Sequence, residues 1–257
     1  MVTEKFWVNL SQNDYFREII CLETVSNTQD YLKLMAQNGK RGLVCVARHQ
    51  TNGLGRAGRK WYSDEENLKF SMLFDACISP QFLPIISLIV GMVVKETIEK
   101  LYLTSVQLKW PNDILLNGKK ICGIISESAS TSNTVKWIVC GVGVNLNMKK
   151  ENIPADLHNI ATSLLLETNL QIEENKFLEI FLVCFSDYLR ILEQGGSCEL
   201  IKKYQSSCDT IGKKINVILE NETRTGIASK IDEHGALVVK TEKGEEVFCS
   251  ADIVHIR

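Results

Sequence analysis

Between two strand-like runs lies Gln50-Thr-Asn-Gly-Leu-Gly-Arg-Ala-Gly-Arg-Lys-Trp61, which packs three glycines, two arginines and a tryptophan into one loop. Glycine admits positive φ and lets backbone approach a ligand closely. Successive amides and the forks of Arg56 and Arg59 then present donors to phosphate or carboxylate oxygens. Trp61 adds a flat face suited to a purine base. Further along the chain stand three more segments: Leu108-Lys-Trp-Pro-Asn-Asp113, Ile114-Leu-Leu-Asn-Gly-Lys-Lys-Ile-Cys-Gly123 and Ile138-Val-Cys-Gly-Val-Gly-Val-Asn-Leu-Asn147. Arg56, Arg59, Lys109 and Lys120 thus place four cations on three separate segments. Lys109 stands at the end of an expected strand, with Pro111 stiffening the backbone just beyond it. Asp113 is the carboxylate suited to positioning Lys109 or a magnesium ion, and Gly141 and Gly143 allow close packing at a strand exit.

In this order and spacing the four segments resemble the catalytic domain of the biotin protein ligases, over roughly residue 24 to the C-terminus. The family's first loop reads Gly-Arg-Gly-Arg-x-Gly-Arg-x-Trp. Gly53, Gly55, Arg56, Gly58, Arg59 and Trp61 match it, while Leu54 stands where an arginine is usual and removes one cation near the expected biotin carboxylate. The family's Ser-Thr pair appears as Asn27-Thr28. The resemblance implies an ATP-dependent ligase that makes biotinyl-5′-AMP and passes the biotinyl group to a lysine of a biotin carboxyl carrier domain. A carboxylate attacking the α-phosphate of ATP meets like-charge repulsion, so cations must be fixed where charge accumulates, usually with Mg²⁺ bridging phosphate oxygens.

Carried over by residue, the resemblance implies that Thr28 and Gln50 hydrogen-bond the ureido ring of biotin, with Gly53 in the same subsite. Lys120 binds the activated carboxyl, and Gly123 leaves room behind it. Arg56 and Lys109 neutralise the carboxylate and α-phosphate. Arg59 reaches the triphosphate, Trp61 covers the adenine, and Asn112, Asp113 and Asn145 serve the nucleotide. Residues 53–60 form a lid, expected to be mobile without ligand because its cations and glycines have nothing to dock against. A lipoate or octanoate ligase or transferase shares the related fold, but its apolar substrate tail has no need of the Thr28–Gln50 pair. The alternative from another class is a biotin-responsive regulator without catalysis. Only about twenty-five residues precede the first site element, too few for a helix-turn-helix domain.

These residues need elements to hold them. Residues 26–30 read as a cap for a short helix ending near Asn38-Gly39. Residues 43–48 read as a buried strand. Leu68, Phe70, Met72 and Phe74 alternate with Lys69 and Ser71, predicting a strand with one wetter face. A largely buried helix is expected over 84–101 with proline in its first turn, and a strand over 106–110. Asn117-Gly118 marks a type I′ hairpin, and another strand is expected over 136–146. A long amphipathic helix runs over about 173–193 and is stopped by Gly195-Gly196. Beyond Thr210 the texture changes to short strands at 215–219, 225–231, 236–241 and 246–249, with turns at Glu220-Asn221, His234-Gly235 and Lys243-Gly244, the pattern of a small β-barrel. The expected architecture is α+β: a mixed-sheet catalytic domain over 1–208 and an SH3-like C-terminal domain over 209–257.

A chain of 257 residues, 45% hydrophobic, can bury a full core. A net charge of −2 and a pI near 6.1 give no sign of a nucleic-acid or anionic membrane partner. The most apolar run, 83–94, is too short to span a bilayer, and the start of the chain lacks a signal-peptide apolar region. Nine cysteines without a Cys-x-x-Cys pair, several inside apolar runs, read as reduced core thiols of a cytoplasmic protein. Four separated histidines show no zinc-ligand spacing, so no protein-held metal is expected.

Overall fold

In the computed structural model, which describes residues 8–11, 13–62, 64–102, 104–219 and 222–256, the first element among the described residues is a strand that hydropathy alone does not mark. This is β1 (Glu18–Val25), which pairs in parallel with β2 (Leu43–Gln50) across the helix α1 (Thr28–Gln37). Asn27 caps that helix, its side chain accepting from the amide of Asp30 at 2.7 Å. After the glycine loop come β3 (Leu68–Phe74), the helix α2 (Leu83–Tyr102), β4 (Gln107–Lys109), β5 (Asp113–Leu116), β6 (Lys119–Ser130) and β7 (Val135–Val144). Asn117 and Gly118 take φ of 52° and 77° in the hairpin between β5 and β6, as the type I′ signal predicts. The seven strands form one mixed sheet in the order β1-β2-β3-β7-β6-β5-β4, in which β1 and β2 are parallel and the other neighbours antiparallel.

Three helices complete this part: α3 (Leu164–Thr168), α4 (Glu174–Glu193) and α5 (Ser197–Ser206). Gly195, at φ 84°, ends α4 as expected, but the chain restarts at once as α5, which the double glycine had concealed. One face of the sheet packs on helices: Phe70 meets Phe181 edge-on at 5.0 Å and Phe74 meets Phe185 at 5.1 Å. The stretch Pro80–Tyr102 is long and apolar enough to cross a bilayer, yet it is the core helix packed between the sheet, α4 and α5.

The other face of β3 corrects the sequence reading. Lys69 and Ser71 are buried, so this strand has no wet face. Leu73 lies under α1 with Leu32 and Ala36, while Lys69 and Ser71 border a cavity. Their polarity reflects what the sheet holds there rather than contact with bulk solvent.

The second sheet comprises β8 (Lys214–Ile218), β9 (Thr223–Ile231), β10 (Leu237–Thr241), β11 (Gly244–Phe248) and β12 (Asp252–His255), all antiparallel in the order β11-β10-β9-β8-β12. The last of these strands goes beyond the four expected, and the turn expected at Glu220-Asn221 lies outside the described residues. This unit is joined firmly to the first. Trp110 is 1% exposed, its Nε1 donates to the carbonyl of Gly235 at 3.0 Å, and its amide donates to the Thr210 hydroxyl at 3.1 Å. Ile215, Val217 and Leu237 belong to the same apolar cluster as Trp110 and α2.

Candidate active site

A cavity of about 530 Å³ lies on the open face of the sheet between α1, the glycine loop and the hairpin end of β6. At one end is a dense hydrogen-bonded group. The Gln50 Oε1 accepts from the amide of Thr28 at 2.8 Å and from its hydroxyl at 3.2 Å, and the Thr28 and Ser71 hydroxyls are 2.7 Å apart. Gln29 reaches over Gly141, where a Cβ would come within 2.7 Å of its Oε1, and donates to Glu127 at 3.0 Å and to the Val139 carbonyl at 3.1 Å. Thr28 and Gln50 are therefore together as expected. Ser71 and Gln29 were missed, because a serine in an alternating strand and a glutamine in the first turn of a helix both read as surface residues.

At the other end Lys120 pairs with Asp113 at 2.6 Å. A strand alternates its faces, so residues 120 and 123 should point opposite ways. A bulge between Ile114 and Leu115 in the β5–β6 register removes that alternation, and the Lys120 Nζ lies 3.3 Å from where a Gly123 Cβ would stand. Asp113 thus forms its close ion pair with Lys120.

Trp61 occupies much of the space that the glycines leave. Its indole lies flat on the sheet, and Cβ atoms at Gly143 and Gly123 would come within 2.5 and 2.9 Å of the ring. The glycines make room for Trp61, which forms part of the floor with the Lys120 ammonium 5.5 Å from its ring centre. Gly53 does not line the cavity. It lets the loop cross itself, since its Cβ would meet the Trp61 carbonyl oxygen at 2.7 Å, and its own carbonyl accepts from the Trp61 amide at 2.9 Å.

The two loop arginines already have partners, which overturns the expectation that nothing docks this segment. Arg56 donates to Asn112 Oδ1 at 3.1 Å, to the Ala251 carbonyl at 3.3 Å and to the Ser250 hydroxyl at 2.5 Å. Arg59 pairs with Asp252 at 2.8 Å. Burial shifts the Arg56 guanidinium downward, and Asp252 partly opposes that shift. Asn112 is itself pinned, its Nδ2 donating to the Ile124 carbonyl at 2.7 Å, just past the cis Trp110–Pro111 peptide. Lys109 is half-buried and off the cavity wall, opposite Asp113 in the β4–β5 register. Burial pushes its ammonium down, Asp113 pulls it back up, and Lys120 adds to the depression. Asn145 donates to the Thr162 carbonyl at 2.9 Å, while its Oδ1 and the Trp61 Nε1 are buried without hydrogen-bond partners at the cavity. Among the described residues no three His, Cys, Asp or Glu side chains converge as a metal cage.

The mixed sheet thus bears a cation-lined cavity, and the small antiparallel unit holds the loop that borders it. The family model "Biotin/lipoate A/B protein ligase family" matches residues 21–145, and "Biotin protein ligase C terminal domain" matches 210–256. The bifunctional ligase/repressor BirA of Bacillus subtilis is 32% identical over 239 residues, 92% of this chain and 74% of the relative. The biotin–[acetyl-CoA-carboxylase] ligase of Mycobacterium tuberculosis is 29% identical over 254 residues, 93% of this chain and 88% of the relative. The solved biotin protein ligase of Aquifex aeolicus in complex with biotin and ATP superposes with a TM-score of 0.81 at 30% identity, covering 94% of this chain and 100% of that one. The chain belongs to the biotin/lipoate protein ligase family, on its biotin protein ligase branch.

Proposed function

We infer that this chain is a biotin protein ligase that activates biotin with ATP and transfers the biotinyl group to a protein lysine. The observation that carries the reading is one cavity with the hydrogen-bonding group of Thr28, Gln29, Gln50 and Ser71 at one end and the cations Lys120 and Arg56 at the other. A ureido ring needs donors and acceptors, whereas a carboxylate and a phosphate need positive charge. In the first step a biotin carboxylate oxygen attacks the α-phosphorus, the bond to the β-phosphate breaks, and pyrophosphate leaves. In the second the lysine amine attacks the acyl carbon, the bond to the phosphate oxygen breaks, AMP leaves, and the new amide nitrogen loses a proton.

In the proposed assignment Thr28 and Gln50, with Ser71 and Gln29 beside them, bind the ureido ring. Lys120, held by Asp113, takes the carboxyl oxygen, and Arg56 faces the developing charge at the α-phosphate. Lys109 is the rear charge of the Asp113–Lys120 group, and Arg59 leaves Asp252 for the triphosphate. Asn112 and Asn145 bind the nucleotide, and Trp61 floors the site. Gly53 and Gly123 act by leaving space. Magnesium is proposed to enter as MgATP, held by the nucleotide's phosphates. The acceptor is proposed to be a biotin carboxyl carrier domain, and the division at 208/209 is supported by the end of α5 at Ser206 and the start of β8 at Lys214. Nine free cysteines support a cytoplasmic setting. ATP–pyrophosphate exchange run with biotin, lipoate and octanoate tests the reading. Exchange should depend on biotin, and faster exchange with either fatty acid overturns it.

A further inference from the structure

Lys69 takes no part in the two chemical steps, yet it is a lysine 2% exposed at the edge of the cavity. Burying an ammonium costs several kcal/mol unless hydrogen bonds replace its water. Its Nζ donates to the carbonyl of Arg48 at 2.7 Å and to that of Asp64. These carbonyls flank the glycine loop: Arg48 lies near the end of β2, just before it, and Asp64 lies just after Trp61 and Tyr62. Asp64 is fixed in turn, its carboxylate accepting from the Glu66 amide at 3.0 Å and from Asn152 Nδ2 at 2.7 Å. Lys69 also faces Gly143 in the β3–β7 register, the residue on which the Trp61 indole rests.

We propose that Lys69 is a positioning residue that clips together the two feet of the substrate-binding loop, holding Arg56, Arg59 and Trp61 at the cavity so that the acyl-adenylate is retained until the acceptor amine arrives. A charged donor suits this task, because charge-assisted hydrogen bonds are roughly twice as strong as neutral ones and one ammonium can serve two carbonyls at once. The neighbouring polar residue of the same face, Ser71, reaches the ring-binding group instead, so the strand serves the loop through one side chain and the ligand through the next. The inference rests on the ligase reading of the cavity for its adenylate arm, but its loop arm can be read without any substrate.

The test compares wild-type protein with Lys69→Met, which keeps the methylene volume and drops all donors, and with Lys69→Gln, whose single amide can reach one carbonyl. In ligand-free protein, well below the melting temperature, trypsin should cut after Arg56, Arg59 or Lys60 at least several-fold faster in Lys69→Met, with Lys69→Gln between it and the wild type. With biotin and MgATP, both variants should form adenylate but lose it to solution about tenfold faster, so that AMP released exceeds acceptor biotinylated. A structural role alone lowers active protein and leaves that ratio near one. Wild-type cleavage and a ratio of one in a folded variant overturn the proposal, and if Lys69→Met does not fold, Lys69→Gln decides it. Absence of adenylate in the wild type would instead count against the ligase reading and leave the cleavage result to judge the clip.

Discussion

The position of Lys120 depends on a bulge, a carboxylate and an aromatic floor together. Lys120→Ala should lower adenylate formation by a factor on the order of 10²–10³, the usual loss when one preorganised charge donor is removed. Exchange kinetics measure this, and a wild-type rate would show that the carboxyl is bound elsewhere. Leu54 lines the same cavity while 39% exposed. Leu54→Arg should tighten biotin binding, a charge-assisted hydrogen bond contributing roughly 1.5–3 kcal/mol before desolvation is counted. Calorimetry showing an unchanged or weaker Kd would mean the new guanidinium turns to solvent.

The helices behind the sheet are joined by a charged cluster on α2, α4 and α5. Glu96 accepts from Tyr188 at 2.6 Å and pairs with Lys100 at 2.7 Å and Lys203 at 3.3 Å. Burial alone would raise this carboxyl; the hydrogen bonds from Lys100 and Tyr188, with the charge of Lys203, outweigh it and bring the pKa to about 2 from the usual 4.5. The folded value lies below the unfolded one, so the cluster's contribution is fully present above about pH 4.5 and is lost as the pH falls toward 2. Glu96→Gln should therefore cost roughly 1–3 kcal/mol at neutral pH and progressively less on acidification. Denaturation at a series of pH values checks it, and a pH-independent difference would contradict the assignment.

Across the whole molecule the two sheets share one apolar cluster, and the loop arginines bridge them at Ser250, Ala251 and Asp252. The chain should therefore melt in one cooperative transition by calorimetry rather than in two. Trp110→Phe removes the donor to the buried Gly235 carbonyl and should cost about 1–3 kcal/mol while keeping that single transition. Two resolved transitions in the wild type would show that the interface is weak.

Local chemistry was legible in the amino-acid sequence wherever it repeats at short range. The Asn27 cap, the Asn117-Gly118 turn, the apolar stripe of α4 and the four site segments are all set by neighbouring residues, and their order pointed to the family. Tertiary structure decided what those residues touch. A strand's polar positions say nothing about whether water or a cavity lies beyond them, so Lys69 and Ser71 read as solvent-facing until α1 and the loop covered them. Glycines advertise space without naming its occupant, and here Trp61 fills it. Asp113 pairs with Lys120 because a bulge breaks strand alternation, and the loop is docked because Asp252 arrives from nearly two hundred residues away. Such contacts are set by how separate elements pack, which no local pattern encodes.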